Sequence, residues 1–187
     1  MRPIRAGVVV TLACVAALLG ACSEDSPEPP PSPSTSSTSS TTETTEPVPE
    51  PPALPPEATT PDAAGAAAFV RHWFDLANYA YATGNTEPLK AVSEGDCDTC
   101  NNIMETIDEQ YADGGRFRGG TISVEGAEAP APDESGVLLV TTRYSQAAVT
   151  NVEADGSSST TDPRPGTTVG FVIALVDSRW LAAGIGT

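Results

Sequence analysis

Four cysteines and one histidine bound the chemistry open to this chain of 187 residues. Cys97 and Cys100 stand two residues apart at the start of a stretch with helical periodicity. Thiols so placed can form a redox couple, because a helix N-terminus stabilises a thiolate. Redox dithiols of this spacing usually follow a strand in a strand–helix–strand unit, and none is visible here. A structural bridge tying the helix start to the preceding turn is the expected role. A zinc site would need two further ligands, and the chain has a single histidine, so no metal and no cofactor are expected. His72, between Arg71 and Trp73, is the one position on which a Ser-His-Asp triad could be built, and no nucleophile elbow accompanies it. It reads as a solvated or locally bonded side chain. Asp75, Asn78, Tyr79, Tyr144 and Trp180 are candidates to line a pocket. Trp73, Phe74 and Trp180 read more simply as core. Gly114 to Gly120 follows a helix and enters a strand, the reverse of the order a phosphate loop needs. No catalytic residue is assigned.

The other two cysteines belong to the N-terminus. Arg2 and Arg5 precede an apolar run from Ala6 to Leu19, and Gly20-Ala21 follows as a small-residue cleavage site. Leu19-Gly20-Ala21-Cys22 has the form of a lipobox, in which the thiol of Cys22 takes a diacylglyceryl group and the segment 1–21 is removed together with Cys14. The competing readings are an uncleaved spanning helix and a plain secretory signal. The apolar run is 14 residues long and stops at Ser23-Glu24-Asp25, short of the about 20 residues a bilayer requires. A lipid-anchored, extracytoplasmic location at the cell membrane is therefore expected. In that oxidising compartment Cys97 and Cys100 are expected to form a disulfide.

The formal net charge is −16. Residues 63–187 carry 17 acidic against 7 basic side chains. Such a surface repels phosphate backbones, so nucleic acid is not an expected partner. Residues 22–62 are almost wholly Ser, Thr, Pro, Glu and Asp. They offer nothing to bury and read as a disordered stalk, with Ser/Thr and Pro in the proportions of O-glycosylated segments.

Residues 63–187 suffice for one domain. Ala66, Phe69, Val70, Trp73, Phe74, Ala77, Ala80 and Tyr81 recur at helical steps until Thr83-Gly84-Asn85. Thr86 and Pro88 open a short second helix. Cys100, Ile103, Met104, Ile107 and Tyr111 mark one face of a third, with Asp96 or Asp98 as its cap. Strand patterns follow from Phe117, with Ile122 and Val124 alternating, one long strand over residues 137–152, a polar loop over 153–166, and strands over 169–176 and 179–184. This order predicts an α+β domain: three N-terminal helices packed on a curved four-stranded antiparallel sheet, after a disordered tail.

Four stretches carry a resemblance: Phe69-Val70-Arg71-His72-Trp73-Phe74, Tyr79-Ala80-Tyr81-Ala82-Thr83-Gly84, Cys97-Asp98-Thr99-Cys100 and Gly114-Gly115 with Gly119-Gly120. Together they resemble a family of actinobacterial lipoproteins of unknown function over residues 63–187. That family is similar in turn to the cone-like fold of nuclear transport factor 2 and the SnoaL-type polyketide cyclases. The resemblance implies a pocket cupped by helices and a bent sheet, and sheet-to-sheet homodimers. It brings no catalytic residues.

The expected role is a non-catalytic binding or assembly domain presented outside the cytoplasmic membrane, taking an envelope protein, a glycan or a lipid-like ligand. Two alternatives stand beside it. One is a SnoaL-type small-molecule enzyme using a pocket carboxylate such as Asp75. The other is a dithiol redox protein working through Cys97 and Cys100. An enzyme needs ionisable groups converging in an open pocket, and a binding module does not.

Overall fold

The computed structural model describes residues 49–186. The signal segment 1–21, Cys22 and the tail as far as residue 48 lie outside the described residues.

Helix α1 (Ala63–Thr83) is the spine of the domain. Its cap is Asp62, whose carboxylate accepts the Gly65 N–H at 2.7 Å. That bond, followed by one from the Thr60 hydroxyl, holds the carboxyl below its usual range. Apolar residues at three- and four-residue steps bury one broad face of α1: Phe69, Val70, Trp73, Phe74, Leu76, Ala77 and Ala80. The helix stops at Gly84, which takes the left-handed conformation at φ 75°. A Cβ on Gly84 would overlap the ring of Tyr111, so glycine is required there twice over. Helix α2 (Glu87–Lys90) is a single turn that sends Leu89 into the core. Helix α3 (Asp98–Ala112) buries Cys100, Met104 and Ile107. The Tyr111 hydroxyl donates to the Tyr81 carbonyl at 2.9 Å and fastens α3 to α1.

Seven strands follow: β1 (Arg116–Gly119), β2 (Ile122–Glu128), β3 (Val137–Gln146), β4 (Val149–Val152), β5 (Ser158–Thr161), β6 (Arg164–Val176) and β7 (Arg179–Gly186). They form two antiparallel sheets, one of four strands in the order β2-β3-β6-β7 and one of three in the order β1-β4-β5. The expectation of three helices packed on one curved four-stranded sheet is therefore corrected. The domain is mostly sheet, the sheet is split, and α1 touches strands of both parts. The physical cause lies in two adjacent kinks. Gly119 and Gly120 both take positive φ, at 70° and 75°, and separate β1 from β2. Opposite them, Ala147-Ala148 separates β3 from β4. The two breaks bond to each other, Gly120 N to Ala148 O at 2.8 Å and Ala147 N to Thr121 O at 3.0 Å. The single strand expected over 137–152 is thus two strands in two sheets. The loop expected over 153–166 holds β5 and the start of β6, because its serines and threonines pair with β4.

Ordered structure also begins before residue 63. A 3-10 turn (Pro56–Thr59) buries Ala58, and the Trp180 indole donates to the Thr60 carbonyl at 2.9 Å. The core lies between α1 and the inner face of the four-stranded sheet. Trp73 meets Phe171 edge-on with ring centres 5.1 Å apart, a favoured aromatic geometry. Ile173 and Val140 are fully buried beside them.

Candidate functional site

The spacing of Cys97 and Cys100 is the most specific chemical signal in the chain. Cys97 and Cys100 are joined as a disulfide. Both are 0% exposed. The cap of α3 is Cys97 itself, whose sulfur accepts the Cys100 N–H at 3.3 Å, rather than Asp96 or Asp98. A catalytic dithiol must expose its attacking sulfur, and this pair does not. The neighbouring Thr99 hydroxyl donates to Ile185 O at 2.9 Å, so the bridge sits where α3 is pinned to β7.

His72 is 3% exposed and its Nδ1 has no hydrogen-bond partner. It is neither solvated nor locally bonded. Burial pushes its pKa down, against the opposing pull of Asp75, which keeps the ring neutral at pH 7. Asp75 itself is exposed and does not line the cavity that Trp73 and Phe74 wall. Asn78 is structural: its side chain donates to Ile122 O at 2.9 Å and accepts Ile122 N–H at 2.8 Å, clamping α1 to β2. The Tyr79 hydroxyl accepts from Asn85 at 3.3 Å. Trp180 is buried against the 3-10 turn. Of the five residues nominated for a pocket, only Tyr144 lines the cavity walled by Trp73 and Phe74.

That cavity, about 320 Å³, lies between α1, α3 and the inner face of the four-stranded sheet. Its deep end is Trp73, Phe74 and Ala77, all buried. Ile103 of α3, Ile122 of β2 and Ile185 of β7 close the sides. At the outer end stand Tyr81, Tyr144, Gln146 and Arg164. Tyr144 stacks at a tilt on Phe74, 5.3 Å between centres. Burial raises the Tyr81 hydroxyl, and the Arg164 guanidinium opposes that rise, so the two groups share one field. No carboxylate and no histidine line the space. Arg164 makes no ion pair among the described residues. Sequence reading missed Arg164 because it sits in a stretch of Gly, Pro, Ser and Thr that reads as loop. The register of β6 brings it opposite Gln146 of β3.

Among the described residues no helix is long and apolar enough to cross a membrane. None of their His, Cys, Asp and Glu side chains form a group of three or more placed to hold a metal ion.

A family model described as a family of unknown function, DUF6318, matches residues 37–185. The chain belongs to that family. No curated protein matches it. Among solved structures, the family member is similar to the intermembrane space region of the chloroplast protein ARC6. The identity there is 14%, the TM-score 0.51, and the match covers 67% of this chain and 95% of that one. At this identity the likeness concerns the fold alone. A second similar structure is a calcium/calmodulin-dependent protein kinase II association domain from Xanthomonas campestris, at 16% identity and TM-score 0.38, covering 64% of this chain and 84% of that one.

Proposed function

We propose that this DUF6318 protein is an actinobacterial cell-envelope lipoprotein, anchored through Cys22, whose domain binds a ligand and performs no chemistry on it. The observation that carries the binding reading is the lining of the cavity. It is apolar at depth and polar at one end, the usual composition of a ligand site, and it brings no acid–base pair together. The SnoaL-type alternative needs a carboxylate in that space, and Asp75 is outside it. The redox alternative needs an accessible sulfur, and both are buried. The anchor reading is supported by the order Leu19-Gly20-Ala21-Cys22 after a short apolar run. Two acyl chains hold a protein at a membrane where one is marginal.

A second copy of the chain is the proposed protein partner. On the outer face of the four-stranded sheet Val137 and Leu139 are 49% and 58% exposed, and they stand opposite Ala174 and Val172. Exposed apolar side chains grouped on one sheet face support this reading.

The anchor is tested by labelling cells with palmitate and separating membranes. The intact chain should carry label and pellet with the membrane, and Cys22→Ala should lose the label and leave the membrane. A Cys22→Ala protein that still pellets after a high-salt wash contradicts the anchor.

A further inference from the structure

The apolar cavity does not end at Arg164. A shallower basin of about 470 Å³ continues outward from it, sharing Gln146 and Arg164 and carrying the hydroxyls of Thr121, Ser123 and Ser145. The two spaces differ in chemistry. The inner one is walled by an indole, a phenyl ring and aliphatic side chains. The outer one offers hydroxyls and a guanidinium. Of the 7 basic residues in 63–187 only Arg143 forms an ion pair among the described residues, and of the remaining six Arg164 is the one that lines both spaces. An unpaired arginine at the junction of an apolar chamber and a hydroxyl-lined basin is complementary to an anion carried on an apolar tail.

We propose that this two-part site binds a single-chain amphiphile with an anionic head. The tail lies in the inner cavity against Trp73, Phe74 and Ala77. The head sits at the junction, accepting hydrogen bonds from Arg164 and Gln146. This deepens the binding reading above and rests on it. A carboxylate and a phosphate head share the required chemistry, so a free fatty acid and a lysolipid-type phosphate are the two sources to be separated. The inner volume is near the lower end of the about 300–1,000 Å³ typical of ligand pockets, which suits one chain rather than two.

Trp73 lines the inner cavity, whereas Trp180 lines a separate recess beside Leu54 and Phe69, so quenching reports occupancy of the inner cavity once Trp180 is replaced. The full chain carrying Cys22→Ser is titrated with ω-bromododecanoate, ω-bromododecyl phosphate and ω-bromododecanol. The expected result is saturable quenching by one or both anions, kept in Trp180→Phe and lost in Trp73→Phe. The tighter anion identifies the head group. Arg164→Gln should weaken the anions about tenfold, as loss of one charged hydrogen bond does, and leave the alcohol unchanged. Ala77→Phe, which fills the chamber, should abolish quenching by all three while circular dichroism shows an intact fold. Equal binding of anion and alcohol, or an Arg164→Gln variant that weakens neither anion, overturns the head-group assignment and leaves the binding reading standing. If none of the three probes quenches Trp73, the cavity is closed to ligands and both readings fall.

Discussion

His72 makes the fold sensitive to acid. Its ring is buried and neutral, and its pKa is lowered from 6.5 by burial. The unfolded chain therefore binds the proton more readily than the folded one. Stability should be complete above about pH 6.5 and fall as the pH drops toward the lowered folded value. Denaturant midpoints at pH 7.5 and pH 5.5 should differ more in the native chain than in His72→Leu. A variant with an unchanged pH dependence would show that other groups carry it. The cysteine bridge has a different character. It closes a very short loop, so its effect through the unfolded chain is below the about 3 kcal/mol expected for a 15-residue loop. The pair Cys97→Ser/Cys100→Ala should fold and lose less than that, because the new hydroxyl can accept the N–H that the Cys97 sulfur now accepts. Complete loss of cooperative unfolding would mean that the bridge organises the domain rather than stapling one helix end.

At the scale of elements, the helices were legible and the sheet was not. The span of α1 follows from apolar residues at helical steps between a carboxylate cap and a left-handed glycine, all local signals. The split of the sheet depends on Gly119-Gly120 meeting Ala147-Ala148 across the ladder, residues 28 positions apart, and no local pattern encodes that meeting. The exposed strand β5 has no apolar residue to announce it, and Arg164 went unseen with it. Gln146 was hidden for the same reason, since its importance comes only from the strand opposite. The N-terminal boundary was misplaced because Ala58 and Thr60 look like tail by composition. Their packing is visible only through the contact with Trp180, 120 residues away. A chain beginning at Ala63 should accordingly be less stable than one beginning at Pro49. It loses the Asp62 cap, about 1 kcal/mol, and the Trp180 bond, about another. Equal melting temperatures would show the turn to be loosely held. The hairpin between β6 and β7 offers a gain instead. Asp177 and Ser178 both have positive φ, 48° and 63°, as a two-residue hairpin turn demands. Glycine adopts this conformation without the roughly 1–2 kcal/mol that other residues incur, so Ser178→Gly should raise the melting temperature.

As a whole molecule, the protein combines an acidic surface, an apolar sheet face and a cavity whose exposed end carries Arg164, which has no ion-pair partner among the described residues. An acidic surface disfavours nucleic acid and the face of an anionic bilayer as partners, so under the proposed anchor attachment to the membrane would rest on Cys22. The sheet face predicts self-association: sedimentation should show a concentration-dependent dimer that Leu139→Glu converts to a monomer without unfolding it. A monomer at all concentrations in the native chain would leave that face without a partner of its own kind. The cavity is the feature on which the functional reading stands. Its most direct test is a nitrogen–proton spectrum of the two tryptophan indoles during titration with dodecanoate. The Trp73 indole, bonded to the Ser93 hydroxyl at 3.0 Å with its ring on the cavity wall, should shift and saturate. The Trp180 indole, held by Thr60 on another face, should stay in place. Two unmoved resonances, or two that drift together without saturating, would contradict a ligand site between α1 and the sheet.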